Sequence, residues 1–270
     1  MNAPRSYLFV PGHRPDRFDK AFASGADLAV LDLEDAVAPQ DKPAARSAIA
    51  NWLRAERLCA VRINAAGTEW FDADLTLCRQ LQGLAAVLLP KAERAEHVAA
   101  VAAAAPGAAI IAIVETAAGI ARSRTLAAGG VQRLAFGALD FAVDLGLDVD
   151  EQGAQDELAA FRSELVLASR LAGIAAPVDG VTTALDDDAQ LAADSQRARR
   201  FGFGAKLCIH PRQIAVVHRA FAPPPEQVAW AGRVLAAVQA SGGAAVQVDG
   251  RMVDRPVVLQ AEAILAAARR

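Results

Sequence analysis

The sequence predicts a (β/α)8 barrel of the TIM type with a helical tail, and three observations carry that prediction. Eight short apolar runs recur through residues 6–210 of the 270-residue chain, apolar on both faces and bounded by turn residues, as in a buried parallel sheet. Segments of helical period separate them, and a strand–helix alternation repeated about eight times in a chain near 250 residues indicates a closed barrel. Polar residues collect at the C-terminal ends of the runs, where barrel enzymes place their chemistry. An open doubly wound sheet is the structural competitor. It usually carries Gly-x-Gly-x-x-Gly after its first strand, whereas this chain reads Val10-Pro11-Gly12-His13-Arg14.

The predicted strands are Ser6–Val10, Leu28–Leu33, Ala60–Asn64, Ala86–Pro90, Ile110–Glu115, Arg133–Phe136, Val178–Thr182 and Lys206–His210. Two intervening helices are well defined by their pattern. Asp156–Ala172 carries an apolar stripe through Leu158, Phe161, Leu165, Ala168 and Leu171. Asp188–Arg200 ends in Arg197, Arg199 and Arg200, which suit the negative end of a helix dipole. The barrel is assigned to residues 1–222. Pro223-Pro224-Pro225 breaks the chain, and residues 223–270 read as a lid: a helix over Glu226–Ala240, a Gly-rich turn at Ser241-Gly242-Gly243, a hairpin-like loop, and a last helix starting near Pro256.

Composition excludes several classes. Hydrophobic residues make up 54% and charged residues 22%, a folded globular balance. Net charge is −3 without a basic stripe, which argues against nucleic acid as a partner. The longest apolar stretch, Val98–Val114, is broken by Pro106-Gly107 and is no membrane span. Three cysteines without Cys-x-x-Cys spacing fit reduced thiols, and the start of the chain has no signal-peptide architecture; both point to a cytoplasmic protein.

Chemistry is sought at the strand ends. Glu115 and Asp140 each follow an apolar run, and a buried acid is costly unless paired, hydrogen-bonded or bound to a cation. Together they offer half of an oxygen shell for a hard divalent ion. Without a Cys/His cluster, Mg²⁺ fits better than zinc. The alternative is that each acid caps the helix that follows. Arg62, in an otherwise apolar strand, requires an anionic partner. Glu34 or Asp35 can supply it, and the guanidinium fork equally suits a substrate carboxylate or a developing oxyanion. Asp32, Glu34 and Asp35 crowd one strand end, too many for all to be ligands, so some orient bound water and Arg62. Arg14 and Lys20 after the first strand suit phosphate or remain solvated surface charge. His210 reads as a wall residue before a ligand or base. Lys91 and Lys206 leave a Schiff base open.

In these segments the chain resembles the citrate lyase beta-subunit family, which includes citryl-CoA and malyl-CoA lyase-like proteins of the HpcH/HpaI aldolase superfamily. The resemblance rests on Phe9–Lys20 (FVPGHRPDRFDK), Asp32–Val37 (DLEDAV), Arg62-Ile63-Asn64, Leu89-Pro90-Lys91, Glu115-Thr116 with Gly119, Phe136–Asp140 (FGALD), Ile209-His210-Pro211 and Asp249–Asp254 (DGRMVD), in family order. It implies Mg²⁺ on Glu115 and Asp140, chelated by a 2-oxo acid, and Arg62 stabilising an enolate. It also implies a coenzyme A thioester lined by Phe9, Val10, Arg14 and Lys20 with Ile209 and His210 nearby. Asp254 would be the acid/base for the acetyl methyl carbon, brought by the tail of an adjacent subunit in a homo-trimer or hexamer. The implied reaction is reversible cleavage of a 3-hydroxy-3-carboxyacyl-CoA to acetyl-CoA and a 2-oxo acid. Alternatives are a pyruvate aldolase acting on free aldehydes, a malyl-CoA thioesterase, and a non-catalytic subunit of a lyase complex. Two departures stand out: Leu139, where many relatives have an acid, and Ala205 before Lys206, where many have Gly. The first bears on which oxo acid fits, the second on the pocket wall.

Overall fold

The eight runs close into one parallel barrel in chain order: β1 (Ser6–Pro11), β2 (Leu28–Asp32), β3 (Cys59–Arg62), β4 (Leu84–Leu89), β5 (Ala109–Val114), β6 (Arg133–Phe136), β7 (Val178–Asp179) and β8 (Ala205–Cys208). Closure is made by β1 against β8, with Ser6 opposite Lys206. The computed structural model describes residues 3–148, 157–241 and 246–269, so the predicted helix start at Asp156 and the Gly242-Gly243 turn lie outside the described residues. The helices of the barrel are α1 (Phe18–Phe22), α2 (Lys42–Trp52), α3 (Phe71–Gln80), α4 (Ala95–Ala104), α5 (Ala117–Ala121), α6 (Ser123–Ala128), α7 (Ala138–Asp144), α8 (Ala159–Leu171), α9 (Asp188–Phe201) and α10 (Gln213–Phe221). Beyond them come α11 (Pro225–Ala240), β9 (Val246–Val248), β10 (Arg251–Val253) and α12 (Arg255–Ala268).

Period two sorts every strand. Tyr7, Val30, Ala60, Leu88, Ile111, Ile113, Ala135, Val178 and Leu207 fill the barrel interior, with Phe9 packed on them. The same parity continued past the strand ends brings Asp32, Arg62, Glu115, Gly137 and Gly180 to the mouth. At the opposite end Arg133 closes the interior: its guanidinium donates to the carbonyls of Pro4 and Ala176 and to the Tyr7 hydroxyl.

The other parity faces the helices, and this corrects part of the strand-end reading. Lys206 is buried behind β8, where Nζ donates to Asp179 Oδ2 (2.7 Å) and to the Gly180 carbonyl (2.8 Å). Arg162 of α8 donates to the other Asp179 oxygen. Burial alone would raise the Asp179 carboxyl, but Lys206 and Arg162 outweigh it and hold it below the usual range. With both partners engaged outside the barrel, Lys206 is no Schiff-base lysine.

Several strands stop before their predicted ends because the backbone finds other partners. The Ile209 N–H donates to the Gln213 side chain (2.9 Å), which ends β8 at Cys208. In β7 only Val178 and Asp179 join the ladder, and the Thr182 carbonyl instead accepts from the Gln213 side-chain amide (2.9 Å).

The chain divides into two compact units, one spanning Ala3–His218 and the other containing Arg219–Arg270. The second has its own small core of Ala231, Val234, Val253 and Ala261 with Trp230, Leu235 and Val257 around it. Its β9–β10 hairpin pairs Val248 with Arg251, leaving the two-residue turn Asp249-Gly250. Both turn residues have positive φ (50° and 76°), the left-handed turn that Asp-Gly favours. Among the described residues no helix is long and apolar enough to cross a membrane.

Candidate active site

The mouth of the barrel is built in two halves. In the first, Arg62 ends β3 and turns inward beside the acids that follow β2. Its Nε and Nη2 grip the two oxygens of Asp32 at 2.7 Å each. Nη1 donates to Asp35 (3.2 Å) and lies 2.9 Å from Glu34 Oε2, an ion contact without hydrogen-bond alignment. The Phe9 ring supports the guanidinium from 4.7 Å. Burial opposes the Arg62 charge, yet the hydrogen-bonded Asp32 and the neighbouring acids raise its pKa further.

This half is fixed from behind by Lys42 of α2. Its buried ammonium donates to the carbonyls of Leu33 (2.7 Å) and Glu34 (3.0 Å) and to Asn64 Oδ1 (2.6 Å). All three ammonium donors are used. Asn64 in turn donates through Nδ2 and its backbone N–H to Asp74 of α3, at 2.6 and 2.8 Å. The loops after β2 and β3 are thus tied to each other and to two helices. Asp32 adds a turn of its own by accepting from the Glu34 N–H (3.0 Å).

The second half is sparser. Glu115 follows β5 and is 3% exposed. It accepts one backbone N–H, from Lys91 (2.8 Å), and lies 3.9 Å from that residue's ammonium. Burial, with the Glu34 charge added, pushes the Glu115 carboxyl up to about 8. Gly137 makes room for it: a Cβ there would collide with the carboxylate. Asp140 sits in the first turn of α7 and is exposed, so the cost of burial applies to Glu115 and not to Asp140. Its place at a helix N-terminus also suits the helix dipole.

The halves face each other across a cavity of about 80 Å³ lined by Phe9, Arg62, Glu115, Leu139 and Asp140, with Gly137 and Gly180 in its wall. Among the described residues no three His, Cys, Asp or Glu side chains converge as a ligand set. The cavity therefore offers two carboxylates. A buried, weakly compensated carboxylate beside a second accessible one suits Mg²⁺, which commonly takes one or two protein carboxylates and completes its octahedron with substrate and water.

Other residues singled out in the sequence lie apart from that cavity. Val10 has the outward parity of β1 and is buried, so its side chain cannot line the mouth as expected. Arg14 is engaged by Asp16 through a two-point contact (2.9 and 2.7 Å), which leaves its fork occupied. Lys20 is exposed on α1. Ile209 is exposed past β8, and His210 accepts the Arg212 N–H at Nδ1 (3.2 Å). Asp254 is exposed in the second unit, where it caps α12 by accepting the Val257 N–H (3.2 Å). Sequence reasoning gave no structural task to Lys42, Asn64 or Lys91. Lys91 is unusual in adopting a left-handed backbone (φ 46°) without being glycine.

Comparison with known proteins agrees with this fold. The family profile described as HpcH/HpaI aldolase/citrate lyase matches residues 5–211. A citrate lyase subunit beta-like protein of Mycobacterium tuberculosis is 40% identical over 96% of this chain and 93% of its own length. A (3S)-malyl-CoA thioesterase of Cereibacter sphaeroides is 34% identical over 98% and 94%. The crystal structure of protein CitE from Mycobacterium tuberculosis, in complex with magnesium, acetoacetate and coenzyme A, superposes with a TM-score of 0.88 at 40% identity, covering 99% of each chain. The chain belongs to the HpcH/HpaI aldolase/citrate lyase family.

Proposed function

We propose that this protein is a Mg²⁺-dependent carbon–carbon lyase that cleaves, or in reverse forms, a 3-hydroxy-3-carboxyacyl-CoA such as citryl-, citramalyl- or malyl-CoA, giving acetyl-CoA and a 2-oxo acid. The observation that carries this reading is the buried Glu115 carboxylate set with Asp140 across one cavity from Arg62. Glu115 and Asp140 would hold Mg²⁺, which when bound supplies Lewis-acid polarisation of the oxo-acid oxygens.

The remaining work falls to the chain itself. As the carbon–carbon bond breaks, the hydroxyl proton leaves to a base and the bonding pair moves into the acetyl thioester as an enolate. Arg62, locked in plane by Asp32 through Nε and Nη2 and bonded to Asp35 through Nη1, would present its two remaining N–H groups to that oxygen, a term of about 3–4 kcal/mol for one such donor. A protonated Asp254 gives its proton to the methylene carbon, and the proton taken up by the base restores it by way of solvent. Leu139, half exposed in the cavity wall, bears on which oxo acid fits. Phe9, Arg14, Lys20, Ile209 and His210 are proposed to accompany the coenzyme A thioester, with Arg14 first releasing Asp16. Residues 223–270 act as a lid that brings Asp254 to the site of a second copy in a homo-trimer or hexamer. Three free, buried cysteines fit a reducing cytoplasm.

The test is to incubate the purified chain with each of the three thioesters, with and without Mg²⁺, and to measure acetyl-CoA and oxo acid. Equimolar products that require Mg²⁺ support the lyase. Release of free CoA without oxo acid would favour the second reading, a malyl-CoA thioesterase, which the Cereibacter sphaeroides relative recommends.

A further inference from the structure

The metal reading leaves one charged residue of the mouth without a task. Lys91, at the end of β4, stands between Glu115 and the acid on the opposite half, Glu34. Its Nζ donates to Glu34 Oε1 at 2.9 Å and lies 3.9 Å from Glu115 Oε1, so the two carboxylates are no further apart than those distances together. Two buried carboxylates this close are within reach of one shared cation. They do not converge here: no three-carboxylate set exists among the described residues.

The Lys91 backbone is shaped for the wedge. Its left-handed φ is unfavourable for any residue with a Cβ and persists only where the surroundings impose it. In that conformation one residue sends its N–H to Glu115 and its ammonium to Glu34. The Glu34 backbone is already pinned by Lys42 at its carbonyl and by Asp32 at its N–H. Only the side chain of Glu34 is at liberty to move, and Lys91 and the unaligned contact to Arg62 decide where it points.

We propose that Lys91 is a positioning residue that holds Glu34 against Arg62 and off the metal, so that Mg²⁺ meets two protein carboxylates and keeps positions open for the oxo acid. This rests on the metal reading above. Loss of the ammonium frees Glu34 to become a third ligand. The chain then binds Mg²⁺ more tightly and its substrate worse, whereas general damage to the mouth weakens both.

The experiment is a calorimetric Mg²⁺ titration, without substrate, of the wild-type chain, Lys91→Met, Glu34→Gln and the double variant, with pyruvate binding measured in the presence of saturating Mg²⁺. Adding one carboxylate ligand should tighten Mg²⁺ binding by about tenfold in Lys91→Met, since affinity follows ligand charge, and pyruvate binding should weaken. In the Glu34→Gln background the same Lys91 change should raise Mg²⁺ affinity clearly less, leaving only the direct effect of removing an ammonium 3.9 Å from Glu115, because residues acting through a shared contact are non-additive. Lys91→Arg should retain wild-type behaviour, and Lys91→Gln replaces the methionine variant if that does not fold. Unchanged or weaker Mg²⁺ binding in Lys91→Met overturns the proposal, as does an equal gain in the Glu34→Gln background. A wild-type chain that binds no Mg²⁺ overturns the metal reading and this inference with it; binding with a flat cycle overturns this inference alone.

Discussion

The two halves of the barrel mouth solve opposite electrostatic problems. Around Arg62 every charge is answered before substrate arrives: a two-point grip by Asp32, contacts to Glu34 and Asp35, and a Lys42–Asn64–Asp74 chain behind them. Glu115 receives one backbone N–H and a distant ammonium, and its carboxyl is pushed up to about 8. On the proposed function the first half is a finished device for stabilising negative charge, and the second is completed by a cation. An enzyme that must cradle an enolate beside a metal-chelated oxo acid needs that asymmetry, since electrostatic stabilisation is strongest when its dipoles are fixed in advance.

Variants can break this contrast at different points. The largest effect is expected for Glu115→Gln, which should abolish Mg²⁺-dependent cleavage, a loss of at least about 10⁴-fold if the metal supplies several kcal/mol. The same variant should not destabilise the metal-free protein. Glu115 is raised above its ordinary value of 4.5, so its folded form binds more protons than the unfolded chain. Its contribution is intact below pH 4.5 and is lost as pH rises through about 8. Metal-free wild type should therefore lose stability relative to Glu115→Gln across that window, as followed by urea denaturation. A parallel pH course would contradict the isolation of Glu115.

Asp254→Asn comes next. Removing a general acid costs about 10²–10⁴-fold, and here it should appear in kcat while KM for the thioester changes little. A matching rise in KM would make Asp254 a binding residue. Asp32→Asn tests the finished half. Breaking a buried ion pair costs about 3–5 kcal/mol, so this variant should melt earlier and also lose activity, the reverse of the stability result at Glu115. The smallest effect is expected for Gly137→Ala, whose Cβ presses on the Glu115 carboxylate. Mg²⁺ binding should weaken about tenfold, and the protein should melt slightly earlier, for a strain of roughly 1–3 kcal/mol.

The same contrast governs what was legible in the sequence. Strand number and order followed from the apolar runs, because a buried parallel sheet leaves a pattern in residue type, whereas the face each residue takes was not legible in runs that are apolar on both sides. Glu115 and Arg62 stood out as charges on such runs, and Glu34 or Asp35 was foreseen as the partner of Arg62, whereas Asp32 makes the two-point grip. Lys42 and Asn64 were not, since a lysine on a helix reads as surface until the fold turns it inward onto carbonyls. Parity explains the overreach at Val10 and Lys206, where adjacency to a strand end was taken for access to the mouth. Asp140 looked like a strand terminus because β6 runs into α7 after a single glycine, and only the backbone shows it in the helix. The left-handed turn at Lys91 had no signal at all, as only glycine or asparagine announces that conformation.

The most direct test of the account is a calorimetric Mg²⁺ titration of the metal-free wild-type chain against Glu115→Gln. One Mg²⁺ bound per chain by the wild type and none by the variant is the expected result. Equal binding by both, or none by the wild type, would contradict the claim that the sparse half of the mouth is completed by a metal.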